Sequence, residues 1–554
     1  MYSDKGNVLQ LVALLKAHSI THIVLSPGSR NSPLIHSFAT DKDFTCYTIV
    51  DERSAGFFAI GVMQAINKPV AVCCTSGTAV LNLGSSVAEA YYQQLPLLVI
   101  TADRPQAWIG QMDGQTIPQT HIFRNIIRHS VQLPQVNGSE EAWYCNRLIN
   151  EAIHALDNGV KGPAHINIPL AEPLFGFNTE ELPEVRVIRK SSVGYQLNDK
   201  DQYDKRFNAH PKRLIVVGQL LPQSELSDRL KSLHEEYGVV VLAEHLSNIE
   251  VRETYNFDTM LYAASEEDLK ALKPDLLITL GGHIVSKRLK QFLRSQNIRE
   301  HWHISPDGEV VDTFQCVTDI VKCDEKTFLD YLIAKGEKNN KAFRSLWESH
   351  CAAVSQPEAA FSDLSAVGMF MKKLPAEVAL QLGNSNSVRF AQLYNLDPYV
   401  QVFCNRGTNG IDGSLSTAVG YAAASEKQTF LLIGDLSFFY DMNGLWNKYK
   451  RSNLHILLNN NSGGEIFHIL PGLNKSEALQ DHISAFHQTD AKAWAAQQGF
   501  TYLSANNQKE LEQQLPEFMN TKNDKPVLLE VFTSMQQNAE QIRTYYHQQK
   551  NKIK

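Results

Sequence analysis

The stretch 429–470, TFLLIGDLSFFYDMNGLWNKYKRSNLHILLNNNSGGEIFHIL, leaves the chain few folds to choose from. The apolar run 430–433 has the length and composition of a buried parallel strand. It ends in Gly434-Asp435, where the glycine permits a tight turn and the carboxylate leaves the strand's carboxyl end. A helical segment is expected next, with Met442, Leu445, Trp446 and Tyr449 on its apolar side. A second buried strand, 454–458, runs into Asn459-Asn460-Asn461-Ser462-Gly463-Gly464. Successive strand ends thus bring a carboxylate and an amide oxygen to one edge of a parallel sheet, the edge at which open α/β sheets bind ligands. With a backbone carbonyl they suit a hard cation such as Mg²⁺, which keeps coordination positions for phosphate oxygens. Taken alone, the stretch also fits a plain βαβ unit with turn-forming Asp and Asn.

The rest of the chain extends this pattern. At 554 residues it exceeds a single core, and three or so domains are expected. A formal charge of −7 argues against a nucleic-acid surface, which needs clustered basic side chains. The eight cysteines show no metal-ligand spacing, and Cys73-Cys74 sits in an apolar run, so buried free thiols in a reducing compartment are expected. The N-terminal residues MYSDKGN lack a signal pattern, and no apolar run reaches the ~20 residues of a membrane span. These features predict a cytoplasmic protein with no membrane partner.

Residues 1–180 alternate strands and helices. Strand 22–25 breaks at Ser26-Pro27-Gly28-Ser29-Arg30, strand 44–50 leads to Asp51-Glu52-Arg53, and 70–74 runs into Thr75-Ser76-Gly77. Strand 97–101 runs into Ala102-Asp103-Arg104-Pro105, a polar loop follows with Gln115, and 163–169 reads as the last strand. Glu52, at a strand-to-helix junction, also fits an acid favoured by the helix dipole. Residues 177–210, with Pro183, Asn198, Lys200 and Asp201, read as a linker into a second α/β block spanning 181–355. Its glycine turns lack a dinucleotide spacing. Lys287-Arg288 reads there as a solvated pair unless a neighbouring domain recruits it. A polar helical link, 338–355, leads to the third block, 356–554. That block holds Gly383-Asn384-Ser385 through Arg389, Asn405-Arg406-Gly407, and a tail after Gln537 read as a fraying surface helix. Repeated strand-then-helix order implies parallel sheets with right-handed crossovers.

Ser26–Arg30, Asp51-Glu52-Arg53, Thr101–Pro105, Asn405–Gly413 and the Gly434-Asp435 and asparagine motifs occur in one order. Over essentially the whole chain they resemble the 2-succinyl-5-enolpyruvyl-6-hydroxy-3-cyclohexene-1-carboxylate synthase family, thiamine-diphosphate enzymes of menaquinone biosynthesis. Three departures stand out. Leu436 occupies a position where many thiamine-diphosphate enzymes have glycine, and Gly114 one where relatives can carry asparagine. The span to the asparagines is also short. The metal-binding amide is therefore Asn460 if counted from the strand end, or Asn461 if counted back from Ile466-Phe467. The strand-end count favours Asn460.

The resemblance implies an α/β fold of three doubly wound parallel-sheet domains, with thiamine diphosphate and Mg²⁺ (or Mn²⁺) as cofactors. It implies that Glu52 faces the cofactor's aminopyrimidine, where an apolar surrounding raises a carboxyl's pKa toward a useful value. Asp435, Asn460 and the Ser462 carbonyl would hold the metal. Thr75, Ser76, Gly77, Ser385, Gly434, Leu436, Ser437 and Asn461 would contact the cofactor, with Ile411 beneath it and Ile466 and Phe467 at its pyrimidine. Arg389 and Arg406 would hold substrate carboxylates, bidentate contacts that lysine cannot copy. Ser29, Arg30, Arg104, Gln115, Lys287 and Phe467 would surround the second substrate. The implied reaction decarboxylates 2-oxoglutarate and adds the four-carbon carbanion to isochorismate in a 1,4 sense. Active sites would lie between subunits of a homodimer or dimer of dimers. The alternatives are another thiamine-diphosphate carboligase or decarboxylase, or a non-catalytic metabolite-binding protein.

Overall fold

The computed structural model describes all residues except 192–196, 198–201, 252, 339–340, 471, 551 and 553–554. Asn198, Lys200 and Asp201 of the expected linker therefore lie outside the described residues. Three wholly parallel sheets follow one another along the chain. The first holds β1 (His22–Leu25), β2 (Thr45–Thr48), β3 (Val70–Cys74), β4 (Leu97–Asp103), β5 (His129–Gln132) and β6 (Ala164–Pro169), in the order β2-β1-β3-β4-β6-β5. The second holds β7 (Arg213–Val217), β8 (Val240–Ala243), β9 (Leu276–Leu280), β10 (Glu300–Ile304) and β11 (Asp319–Val321), in the order β11-β10-β9-β7-β8. The third holds β12 (Ala379–Leu382), β13 (Gln401–Cys404), β14 (Thr429–Gly434), β15 (Leu454–Asn460), β16 (Thr501–Ala505) and β17 (Val527–Phe532), in the order β13-β12-β14-β15-β17-β16. Counted from its own first strand, the third sheet repeats the order of the first.

The central strands are buried on both faces, as sheets covered by crossover helices must be, and that burial explains their unbroken apolar runs. The two outer sheets also share a core. The helix Glu52–Ile66 crosses the helix Ser414–Ala424, and one apolar cluster runs from Val24 and Val72 through Phe57, Phe58 and Leu415 to Leu431 and Leu458. The crossing is backbone on backbone. A Cβ on Gly61 would lie 1.9 Å from the Thr417 carbonyl oxygen, and one on Gly420 2.1 Å from that of Phe58.

Three expectations change and one is refined. The segment after β14 is not one helix but a short helix, Asp435–Tyr440, and a 3₁₀ turn, Met442–Leu445. The linker region ends in a helix, Tyr203–Ala209, whose Phe207 is wholly buried in the central core. The polar link before the third block is helical as expected, over Ala342–Ala353, but it is packed rather than free, burying Phe343, Trp347 and Cys351 in the central domain. The C-terminal helix, Met535–Lys550, is no surface tail. It buries Met535, Ile542 and Tyr545, and it packs on the helix Phe257–Ala263 of the central domain. All eight cysteines are free, and six are buried. Among the described residues, no helix is long and apolar enough to cross a membrane.

Candidate active site

Strands β12 to β15 deliver their loops to one edge of the C-terminal sheet. A Cβ on Gly434 would meet nothing within 4 Å, so open space lies beside the turn that carries Asp435. Asp435 is nearly buried, and its Oδ2 accepts from the backbone N–H groups of Asn461 (3.1 Å) and Gly463 (2.9 Å). Its Oδ1 accepts from the Leu436 N–H at 2.6 Å, and His487 Nε2 lies 3.3 Å from Oδ2. Ser437 Oγ donates to the Ile411 carbonyl at 2.5 Å, which ties this turn to the loop 405–413.

The asparagines divide their work differently from the expectation. Strand β15 continues through Asn460, which pairs in register with Phe532, so the strand ends two residues later than its apolar run. Asn460 spends its amide inside the protein. Its Nδ2 donates to Glu530 Oε1 (2.7 Å) and the Thr489 carbonyl (2.9 Å), and its Oδ1 accepts from the Ser462 N–H (3.2 Å). These bonds weigh against the choice of Asn460 as metal ligand. Asn461 donates from Nδ2 to Asp363 Oδ2 (2.7 Å) and Glu465 Oε2 (3.1 Å), while its Oδ1 is buried with no hydrogen-bond partner among the described residues. Two carboxyl groups claim the NH₂ end and so fix which end of the amide remains as a bare acceptor. Burial raises the pKa of both acids; the neighbouring Asp363 pushes Glu465 further, well above the usual range, while hydrogen bonds from Thr533, Asn461 and Glu465 partly offset the rise at Asp363. The Ser462 carbonyl accepts from the His487 N–H at 3.1 Å and keeps a second lone pair.

The arginines of this edge have buried donors to spare. Arg406 is 6% exposed; its Nη1 donates to Asn384 Oδ1 at 3.0 Å, and its Nε has no partner among the described residues. Arg389, on the helix Asn386–Ala391, likewise has a buried, unpartnered Nη1. Burial, followed by the Arg406 charge, lowers its pKa. Ser385 precedes that helix at φ +67°, and Asn384 Nδ2 holds the carbonyls of Asn405 (2.6 Å) and Gly410 (2.7 Å). Unmet buried N–H groups on two neighbouring cations suit an anion.

At the N-terminal sheet, Glu52 opens its helix behind the N-cap Asp51, so it is both a first-turn acid and a presented carboxylate. It is half-buried, and Oε2 accepts from Asn82 Nδ2 at 3.2 Å. Gly28 lies where a Cβ would be 2.4 Å from Thr75 Cβ, which sets the 26–31 turn directly against Thr75-Ser76-Gly77. Ser26 Oγ, Asn31 Oδ1, Thr75 Oγ1 and Ser76 Oγ are buried there without partners among the described residues. Gly77, at φ +81°, donates its N–H to Gln119 Oε1 at 2.9 Å. Ser29 and Gln115 are exposed. Arg30 is buried at the end of β6, donating to the Leu170 carbonyl (2.9 Å) and Glu172 Oε1 (3.0 Å). Burial, then the nearby Arg104, lowers its pKa. Arg104 itself donates to the Gly114 carbonyl at 2.9 Å and pairs with Asp113 at 3.1 Å.

Lys287 is exposed at the start of the helix Lys287–Ser295. Its loop is pinned by Glu244, which accepts from the N–H groups of Val285 (2.7 Å) and Ser286 (2.6 Å). Arg288 is not a solvated partner: it binds Asp258 Oδ2 (2.5 Å) and the Tyr546 hydroxyl (2.9 Å). Ile466 and Phe467 stand half-buried on a short helix beside Gly464, and Ile411 is 40% exposed. Sequence reasoning missed Asp363, Glu465 and the contacts of Asn384. Of these only Asn384, in a polar turn at a strand end, carried a local signal.

The sequence matches three descriptions in succession: "Thiamine pyrophosphate enzyme, N-terminal TPP binding domain" over 8–127, "Middle domain of thiamine pyrophosphate" over 189–382, and "Thiamine pyrophosphate enzyme, C-terminal TPP binding domain" over 383–531. It is 50% identical to the 2-succinyl-5-enolpyruvyl-6-hydroxy-3-cyclohexene-1-carboxylate synthase of Bacteroides thetaiotaomicron, across 100% of both chains. Identity is 39% to the synthase of the same name from Flavobacterium psychrophilum, across 97% of each chain. The benzoylformate decarboxylase of Polynucleobacter necessarius shares the fold, with a TM-score of 0.74 at 17% identity over 97% of this chain and 99% of that one. By descent and by architecture, the chain belongs to the 2-succinyl-5-enolpyruvyl-6-hydroxy-3-cyclohexene-1-carboxylate synthase family of thiamine-pyrophosphate enzymes.

Proposed function

We infer that this chain decarboxylates 2-oxoglutarate and joins the remaining four-carbon unit to isochorismate in a 1,4 sense, releasing carbon dioxide and the product for which its relatives are named. The observation that carries this reading is the pair of buried, unmet guanidinium N–H groups, Arg389 Nη1 and Arg406 Nε, beside the Asp435 turn. Both substrates are carboxylates, and a neutral ligand would leave those charges uncompensated.

Thiamine diphosphate, when bound, supplies the electron sink for the departing carboxyl group. The residues fit it and its metal. Asp435, the bare Oδ1 of Asn461 and the Ser462 carbonyl form an all-oxygen set for Mg²⁺ or Mn²⁺, and the space before Gly434 admits a diphosphate. Glu52 holds a proton at the pyrimidine ring nitrogen, the role its carboxylate serves at the head of a helix. Ile411, Ile466 and Phe467 supply apolar contact and exclude water. Arg389 and Arg406 orient substrate carboxylates, while Ser29, Arg30, Arg104, Gln115 and Lys287 bind the second substrate from the N-terminal and central domains.

We further infer a homodimer as the smallest active unit, with Glu52 of one subunit facing Asp435 of the other. Exposed apolar side chains flank both groups: Val50 (42%) and Leu81 (54%) near Glu52, Ile411 (40%) and Leu470 (38%) near the metal edge. Such patches favour burial against another surface. Eight unpaired cysteines favour a cytoplasmic setting.

The test incubates purified protein with thiamine diphosphate, Mg²⁺, 2-oxoglutarate and isochorismate and looks for the coupled product by mass spectrometry. Loss of product on omitting any one component is expected. Glu52→Gln is expected to stay folded and to lose activity by at least about a hundredfold, the scale of a general acid–base contribution. Near-native turnover in that variant would falsify its assigned role.

A further inference from the structure

Glu89 lies in the N-terminal domain, on the helix Gly84–Tyr92, and is 1% exposed. Its partners belong to the C-terminal domain, on the turn that follows Arg406. Oε1 accepts from the Gly407 N–H at 2.7 Å, and Oε2 accepts from both the N–H and the Oγ1 of Thr408, each at 2.7 Å. A Cβ on Gly407 would stand 2.7 Å from the Glu89 carbonyl oxygen, so the turn is seated flush on the helix. Gln93 Nε2, one helical turn on, adds a fourth donor to the carboxylate at 2.5 Å. From the central domain, Gln219 Nε2 donates to the Cys404 carbonyl at 2.9 Å, just before the same turn.

A buried carboxylate is costly, and here its charge is met by N–H and O–H donors without an ion pair among the described residues. An apolar side chain would serve packing at lower cost. What the carboxylate achieves is geometric: it fixes the backbone directly after Arg406 while Asn384 Oδ1 fixes Nη1 of the same residue. With both ends held, the free Nε–H has little latitude.

We propose that Glu89 is a positioning residue for substrate recognition, acting from the N-terminal domain on Arg406 of its own chain. The proposal rests on the reading of Arg406 as a carboxylate-binding side chain. Glu89→Gln tests it with little change in volume, because the amide presents a donor where the turn needs an acceptor.

Steady-state kinetics for both substrates, thiamine-diphosphate affinity and melting temperature are to be measured for Glu89→Gln, Thr408→Val and Arg406→Ala. Glu89→Gln is expected to lose about tenfold in kcat/KM, mainly through KM, the scale of one buried hydrogen bond broken to a charged acceptor. Cofactor affinity should stay within about twofold, since the hydrogen bonds of Glu89 avoid the loops after β14 and β15. Thr408→Val, which removes only the hydroxyl donor, should show a milder loss of the same kind, about threefold. A merely structural role would instead lower the melting temperature and cofactor affinity together and leave KM alone. The proposal is overturned if Glu89→Gln and Thr408→Val keep native kcat/KM while Arg406→Ala does not. If Arg406→Ala is itself native-like, the reading of Arg406 falls first, and this proposal with it.

Discussion

Asn460 and Asn461 differ by one position and by everything that matters chemically. The pleat sends them to opposite sides: one into the Glu530 network, the other between Asp363 and Glu465 with a bare oxygen. Asn461→Ala is therefore expected to weaken Mg²⁺ binding, titrated in the presence of thiamine diphosphate, by at least about tenfold. Asn460→Ala should leave that affinity nearly unchanged and lower the melting temperature, having stripped a buried carboxylate of a donor. The reverse pattern would restore Asn460 as the ligand. Asp435 and Glu52 were legible in the sequence because an acid after a strand-ending glycine, or at a strand-to-helix junction, is a local pattern. The hydrogen bonds that distinguish the asparagines were not, because an apolar run ends where burial by side chains ends, while β15 pairs on through two polar residues. Glu89 was further out of reach: its partners lie more than 300 positions along the chain, and nothing in AEAYY announces them.

Among the elements, the segment after Asp435 departs most from its expected form. Periodic apolar residues suggested a continuous helix, but Asp441 turns inward to cap another. Its Oδ2 accepts from the Ser416 N–H at 2.7 Å and its Oδ1 from Ser416 Oγ at 2.8 Å, at the start of the helix Ser414–Ala424. Asn443, Gly444 and Asn447, poor α-helix formers, follow in a 3₁₀ turn and a bend in place of a continued α-helix. Burial, only partly offset by those hydrogen bonds and Arg53, pushes the Asp441 carboxyl up to about 7. The folded chain thus keeps a proton where the unfolded chain has released it. The stability this group provides is complete below its ordinary pKa of about 4 and is lost as the pH rises through about 7. Between pH 5 and pH 8 the native melting temperature should fall more steeply than that of Asp441→Asn, as read by calorimetry. Parallel slopes would remove Asp441 as the source. Edge strands β5 and β16 escaped the sequence reading for a related reason. Both are half-exposed and polar, without the continuous apolar run that marked β14 and β15.

For the molecule as a whole, the repeated α/β order and the ligand edges were plain from strand-ending turns, whereas the matching strand orders of the first and third sheets were not, since the missed edge strands complete them. The proposed placement of Glu52 and Asp435 on different subunits yields a sharp prediction. Glu52→Gln and Asp435→Asn should each be inactive alone, yet co-refolded in equal amounts they should recover about a quarter of native activity. Half of the resulting dimers are mixed, and each mixed dimer keeps one intact site of two. No recovery, with mixed dimers verified by mass, would place both groups in one subunit's site. The joint at Gly61 and Gly420 has its own consequence. Main chain rests on main chain there, with no flexible side group between the halves to absorb a change. A single added methyl at either position has to be answered by moving one helix away from the other, so at this crossing the two outer domains have the least room to diverge.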